Sequence, residues 1–396
     1  MIEPKTMWNK NFICVVIANF LLCYGHAAVN PLVATYMTHM NATAELTGFL
    51  TGMFYGIAFA LRPVTGPVAT KLDKRKLLIF VFVIGAVANL GYALFRDLAA
   101  FTAFRFLSGA QYSLVGALLM TLAGDHLPSA KMAYGLGIYG IGGAVANALA
   151  PATGEALLRF GTRVRDEDLG FMLMFILGAA LFVLAIIPAV IVAPDKKSRA
   201  EIASTGAWYK NILTPRSAPA AIVLMLVLIP NALLNTYLFE FGMAYGIEGI
   251  SAFYIVMAIS LSVSRPLSGY LTDKFGIPRV LIPALVIYAA ALFVVGSSRS
   301  LPPMLVGAVL AAIGYGSAQP SLQAMSMQAE SPLRRGVASN TVYMGMDLGL
   351  FVGPFLGGLV YANSNYSTMY KAGAAPILIA LVCFIIISHP NVRRHS

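Results

Sequence analysis

Arg265-Pro-Leu-Ser-Gly-Tyr-Leu-Thr-Asp-Lys-Phe-Gly-Ile-Pro-Arg-Val-Leu-Ile282 decides the fold, because the chain contains this stretch twice. The earlier copy is Arg62-Pro-Val-Thr-Gly-Pro-Val-Ala-Thr-Lys-Leu-Asp-Lys-Arg-Lys-Leu-Leu-Ile79, and each residue pairs with one 203 positions later. Arg62/Arg265, Pro63/Pro266, Gly66/Gly269 and Lys71/Lys274 are identical, and Thr65 stands where Ser268 does. In both copies an apolar run ends, a basic loop follows and a new apolar run begins. A second echo keeps the register: Ala150-Pro151-Ala152-Thr153-Gly154 precedes Gly353-Pro354-Phe355-Leu356-Gly357 by the same 203 positions. Two echoes at one offset predict two similar halves.

The residues are 59% hydrophobic and 11% charged, and the mean hydropathy is +0.78. A soluble domain carries about 25% charged residues. Apolar runs of about 20 residues recur along the chain, each long enough to span a bilayer. In lipid every backbone amide must be paired internally, so such runs mean helices, and the alternation of a membrane barrel is absent. The expected fold is an all-α membrane protein with twelve transmembrane helices in two pseudo-symmetric six-helix bundles. In the first bundle the helices fall roughly at 11–37, 46–70, 77–95, 98–123, 131–157 and 170–193. In the second they fall roughly at 217–243, 250–272, 278–297, 302–325, 336–360 and 368–388. The bundles are then 1–193 and 217–396, joined by a solvated linker over 194–216 that holds Asp195, Lys196, Lys197, Arg199 and Lys210.

A net charge of +11 invites an anionic or nucleic-acid partner. The basic residues fall instead in alternate loops, as cytoplasmic-side Lys and Arg do. With the N-terminus inside, eighteen Lys and Arg lie inside and six outside, which predicts cytoplasmic termini. Cys14, Cys23 and Cys383 all fall in apolar runs and read as small buried hydrophobes. The first apolar run lacks a small-residue cleavage site and reads as a retained helix.

These features resemble the major facilitator superfamily. That family carries a Gly-x-x-x-Asp-x-x-Gly-Arg/Lys pattern between its second and third helices and a weaker copy between the eighth and ninth. Here the second copy is the complete one, with Gly269, Asp273 and Gly276. The first keeps Gly66 but has Thr70 and Asp73 where the acid and the second glycine belong. Arg105-Phe-Leu-Ser-Gly109 and Ala150-Pro151-x-x-Gly154 are similar to motifs of the proton-coupled drug and metabolite exporters, and Gly349-x-x-x-Gly353-Pro354-x-x-Gly357-Gly358 is a better copy of the latter. The resemblance implies a multi-pass protein of a bacterial-type plasma (inner) membrane, working by alternating access as a monomer.

Asp273 sits near the end of its helix. It can pair with Arg265 or Lys274, face the positive N-terminus of a neighbouring helix, or be a solvated loop acid. The resemblance makes it a latch and makes Arg62, Gly66, Arg265, Gly269, Pro151, Gly353 and Pro354 parts of the gate. Gly349, Gly353 and Gly357 are spaced for close helix approach, either as a sliding contact between halves or as ordinary tight packing.

Polar stripes run along four spans. Asn19, Cys23, His26 and Asn30 share one face of the first helix, and Arg105, Ser108, Gly109 and Tyr112 share one of the fourth. Asn231 and Asn235 follow Pro230 in the seventh, and Tyr315, Gln319 and Gln323 line the tenth. Such faces avoid lipid, so they meet protein, water or substrate. In the superfamily these four helices line the central cavity. Asp347 falls roughly 16 Å into the eleventh helix, near the midplane, where a carboxylate is a proton carrier or the partner of a buried cation. His26 and Glu240 are the other proton-linked candidates. The exporters' first-helix acid is missing.

No metalloprotease, nucleophile-elbow or nucleotide-binding motif occurs, so neither an enzyme nor a cofactor is expected. The expected function is secondary active transport, with proton-driven export of small amphipathic or drug-like molecules. Import of a sugar or organic acid by a symporter or uniporter is the first alternative, and a non-transporting sensor or lipid-handling protein the second. The expected partners are a small-molecule substrate, a proton or other coupling ion and the lipid bilayer, with no nucleic acid.

Overall fold

Polar caps and special backbone residues set where the apolar runs begin and end as helices. A computed structural model describes residues 6–42, 44–194 and 207–388. Its helices are α1 Lys10–Val29, α2 Val33–His39, α3 Ala44–Lys71, α4 Lys74–Leu94, α5 Leu98–Asp125, α6 Met132–Val164 and α7 Glu167–Ile191. After the linker come α8 Ala218–Ala244, α9 Ser251–Phe275, α10 Ile277–Ser297, α11 Leu301–Gln328, α12 Arg335–Ala362, α13 Tyr366–Ala372 and α14 Ala374–Ser388. Eleven helical stretches among the described residues are long and apolar enough to cross a membrane. The remaining long helix, α3, runs for 28 residues and holds Arg62, Pro63, Pro67 and Lys71 within its apolar run. Together these rods occupy the twelve places expected, and the protein is an all-α membrane protein.

Asn9, Asp97 and Asp166 cap α1, α5 and α7 by accepting from the amides of Phe12, Ala100 and Leu169. The two copies of the repeated loop end differently. Gly276 closes α9 at φ 86°, where a side chain would be strained, and its N–H bonds Thr272 O at 2.9 Å. Asp73 occupies that position in the first copy with φ −63°, and its carboxylate caps α4 by accepting from Lys76 N. The first copy has exchanged a glycine helix stop for a helix start. Within the helices the repeat survives as matched bonds. Thr65 donates to Arg62 O at 3.1 Å, and Ser268 donates to Arg265 O at 3.1 Å.

Two expected rods are broken. The first is not one helix over 11–37: a tight turn at Asn30–Leu32, with Pro31 inside it, separates α1 from α2. Proline has no N–H to continue the ladder, so the backbone tightens there. Asn30 N–H still bonds His26 O, so the polar face of α1 reaches Asn30 and stops. The last rod divides at Gly373 into α13 and α14.

The chain forms two compact units. One contains Thr6–His126 and Gly142–Ile212; the other contains Leu127–Ile141 and the described chain from Leu213 onward. Residues 127–141 thus cluster with the second unit although they precede the expected boundary, and α6 begins in one unit and continues in the other. Of the expected linker 194–216, residues 195–206 lie outside the described residues.

Candidate functional site

In the first unit the polar faces of α1 and α5 meet. His26 Nε2 is hydrogen-bonded to Gln111 Oε1 at 3.0 Å. Three rings enclose the imidazole, with centroids 5.3 Å away for Phe54, 5.4 Å for Tyr112 and 5.1 Å for Phe182. Arg105 is 2% exposed. Its Nη1 donates to Asn30 Oδ1 at 2.9 Å, its Nε to Leu50 O at 3.1 Å, and its guanidinium carbon lies 4.8 Å from the Phe54 ring centre. The fork thereby ties α5 to the broken end of α1 and to α3. Asn19 is buried and accepts a weak bond from Cys23 Sγ at 3.8 Å. Arg62, fully buried on α3, donates to Ser113 O at 2.7 Å. Gly66 is buried one turn further along the same helix. On α6, Pro151 is half-buried one turn before Gly154, which sits against Ala28 O.

In the second unit α9 and α11 supply the polar groups. Arg265 Nη2 donates to Gln319 Oε1 at 2.8 Å, Nη1 donates to Gly140 O, and the guanidinium carbon lies 5.7 Å from the Tyr315 ring centre. No carboxylate pairs with Arg265 among the described residues. Tyr315 and Gln323 are buried on the same helix as Gln319. On α8, Asn235 Nδ2 donates to both the carbonyl and the side chain of Asn231 at 3.0 Å. The two amides thus bond each other along one face of α8.

A seam joins α9 to the first turns of α6. Both oxygens of Asp273 accept backbone amides there, from Ala133 at 3.0 Å and Tyr134 at 2.8 Å. These amides lie in the first turn of α6, which has no carbonyls to offer them, so the carboxylate caps the helix and meets its positive dipole end. Of the alternatives open to Asp273, this is the helix N-terminus, not an ion pair with Arg265 or Lys274. Glycines bring the backbones close enough. A Cβ on Gly269 would stand 2.5 Å from Ala133 O, and one on Gly137 would stand 2.5 Å from Arg265 O.

Gly349 and Gly353 of α12 lie against the Met225 and Ile229 carbonyls of α8, and Gly357 lies against Leu233. The strip is thus tight packing between two helices of one unit. Tyr237 OH donates to Pro354 O at 2.9 Å and closes the same contact. Asp347 is 8% exposed and lies near the middle of α12. Glu240 lies one turn from the end of α8, with its Oε2 buried.

Comparison with known proteins places this architecture. The family model described as Major Facilitator Superfamily matches residues 15–277 and 250–396. The chain belongs to the major facilitator superfamily. It is 22% identical over 398 residues to the multidrug resistance protein MdtG of Escherichia fergusonii, covering 95% of this chain and 93% of that one. It is 27% identical over 111 residues to the 3-(3-hydroxy-phenyl)propionate transporter of Escherichia coli, a match covering 28% of this chain and only 27% of that protein. Among solved structures, the superfamily transporter FucP in its outward conformation superposes with a TM-score of 0.75 at 12% identity, covering 96% of this chain and 100% of that one. Membership of that superfamily makes this chain a transporter rather than an enzyme.

Sequence reasoning missed several partners in this superfamily member. Gln111 is the partner of His26, yet it sits one position off the stripe assigned to its helix. Lys74, one of the lysines of the first basic loop, is 1% exposed and pairs with Asp125 at 2.5 Å. The signal for that pair was available: Asp125 is the last residue of an otherwise uncharged run that begins after Arg105.

Proposed function

We propose that this chain exports small amphipathic or drug-like molecules across a bacterial-type inner membrane, driven by protons and working by alternating access. The match to a multidrug resistance protein along 95% of the chain carries this reading. The polar clusters around His26–Gln111–Arg105 and Arg265–Gln319–Tyr315 are the proposed substrate-contacting faces, together with Asn19, Asn30, Tyr112, Asn231, Asn235 and Gln323. With both termini cytoplasmic, Asp273 lies at the cytoplasmic end and latches α6 to α9. Its opening releases the first turns of α6, and Asp347 is the proposed proton-linked acid.

A second reading is uptake of an organic acid. The short match to a phenylpropionate transporter and the guanidinium of Arg265, which pairs with no carboxylate among the described residues, favour it. Everted vesicles with an imposed pH gradient decide between them. Export predicts accumulation of a lipophilic dye in everted vesicles that are acid inside, lost on collapse of the gradient. Accumulation of an aromatic acid in right-side-out vesicles, without dye transport, would establish uptake instead.

A further inference from the structure

His39 closes α2, the short helix that follows the break at Asn30–Leu32. Its half-buried ring lies between two carboxylates of α7. Nδ1 stands 2.9 Å from Glu167 Oε2, and Nε2 stands 2.8 Å from Asp168 Oδ1. An ionised carboxylate accepts and cannot donate, so both ring nitrogens must carry hydrogens to make these two bonds. Only the imidazolium has both. In the neutral ring one nitrogen offers a lone pair, and here that lone pair would face a carboxylate oxygen. Gain of a proton therefore adds a bond and a charge to the join between α2 and α7, and loss of the proton removes both.

The other charged and titratable groups around the ring have partners of their own. Arg96, just beyond α4, donates to the second oxygen of Asp168 at 2.7 Å. Asp97 caps α5 through the amide of Ala100, and Arg165 pairs with Asp166 at 3.0 Å just before α7. On α2 itself the ring of Tyr36 packs on Phe171 and Phe175, with centroids 4.9 and 5.0 Å away. α3 also packs on α2, and among the described residues it makes no ion pair with His39. The other end of α2 follows Asn30, which accepts from Arg105 at 2.9 Å. The short helix is thus tied by a guanidinium at one end and an imidazole at the other. Of these two groups, imidazole is the one whose ordinary charge change falls between about pH 5 and 8.

We propose that His39 is a proton-operated clamp on α2, closed on α7 when the ring is charged and released when it is neutral. The clamp therefore holds at the acid end of that range and loosens as the pH rises. The loop charges assign this end of the first unit to the outside, so the clamp reads the proton concentration of that compartment. It goes beyond the export reading and is separate from the role given to Asp347, so failure of either leaves the clamp standing.

The test uses the full-length protein in nanodiscs at about pH 5.5 and about pH 8, on either side of the ordinary histidine range. Hydrogen–deuterium exchange with mass spectrometry reads residues 33–39, each rate divided by its intrinsic rate at that pH. Two partly exposed ion pairs together give about a three- to tenfold change in exchange, so protection should fall by that factor at the higher pH. His39→Gln has one donor and one acceptor end, so it should show the lower protection at both pH values. Glu167→Gln separates a proton-operated clamp from a fixed contact. Its amide can donate to the lone pair of a neutral ring while Nε2–H still reaches Asp168, so protection should stay high and change little with pH. The chain has five histidines, so selective 15N labelling reads the ring directly. The signal missing from His39→Gln should pass from the imidazolium to the neutral form over the same range. A ring that keeps one state throughout, protection of the parent protein that is independent of pH, or a pH dependence that persists in either variant overturns the proposal.

Discussion

Asp273 accepts a hydrogen bond from the backbone N–H of Tyr134 at 2.8 Å, across 139 residues of sequence. With Ala133 as the second donor, the contact is a helix cap supplied by a distant helix rather than by the preceding residue. A charged cap at a helix N-terminus contributes about 1–2 kcal/mol. Asp273→Asn should therefore raise amide exchange at Ala133 and Tyr134 by about 5–30-fold, and transport should fall. Hydrogen–deuterium exchange with mass spectrometry reads this directly. Unchanged protection of that segment would show that the carboxylate does not hold the seam.

The glycines of the seam should be intolerant of even a methyl group. Gly269→Ala and Gly137→Ala place a Cβ 2.5 Å from a backbone oxygen, and backbone yields less readily than a side-chain tip. Overpacking of this kind costs about 1–3 kcal/mol. Gly56 of α3 is the internal control, since a Cβ there meets nothing within 4 Å. Thermal melts in detergent should show Gly269→Ala and Gly137→Ala less stable. Gly56→Ala should be unchanged or more stable, because alanine is the better helix former. Equal melting points across the three variants would place the seam elsewhere.

The twelve rods were legible because each apolar run must satisfy its own backbone in lipid, which makes span and helix nearly synonymous. The repeat located Gly276 and Asp273, since a loop that must stop one helix and cap another tolerates few residue types. Side-chain partners were less legible. His26 and Gln111 meet across 85 positions, and no periodicity within either helix encodes that pairing. The glycine strip at Gly349, Gly353 and Gly357 announced close packing, but its partner helix depends on tertiary arrangement. Lys74 misled because charge patterning treats every loop lysine as solvated, whereas an opposing Asp125 on the next helix allows burial.

That pair gives a third prediction. Lys74 and Asp125 have side chains 2% and 4% exposed, so removing one takes the ion-pair partner from a buried opposite charge. Asp125→Ala should destabilise by about 3–5 kcal/mol, while Lys74→Met combined with Asp125→Leu should recover most of that loss. Chemical or thermal denaturation in detergent measures both. Should Asp125→Ala melt like the parent protein, the pair would be a surface-like contact of little consequence.

The last prediction concerns Asp347, at the thirteenth of 28 residues in α12. At about 1.5 Å per residue it lies roughly 18 Å from Arg335, close to the middle of the helix and of a bilayer about 30 Å thick. The residue is 8% exposed, and buried Asn340 lies on the same side of the helix two turns earlier. Two turns beyond it, Gly353 and Gly357 fix α12 rigidly against α8, so movement of this helix must carry α8 with it. A charged carboxylate is expensive at this depth, so its charge state should differ between an arrangement that admits water and one that excludes it. A proton entering or leaving here would bias the two arrangements of the whole helix pair. Asp347→Asn mimics the protonated form without changing the side chain's size. It should abolish dependence on the pH gradient while substrate exchange across proteoliposomes continues. If Asp347 were instead half of a fixed ion pair, Asp347→Asn would strand a buried cation, and the protein would lose about 3–5 kcal/mol of stability rather than its coupling. Exchange assays paired with melting curves separate these outcomes. Folded protein that exchanges substrate without responding to the gradient supports the proton-linked role, and a folded variant that still concentrates substrate with the gradient refutes it.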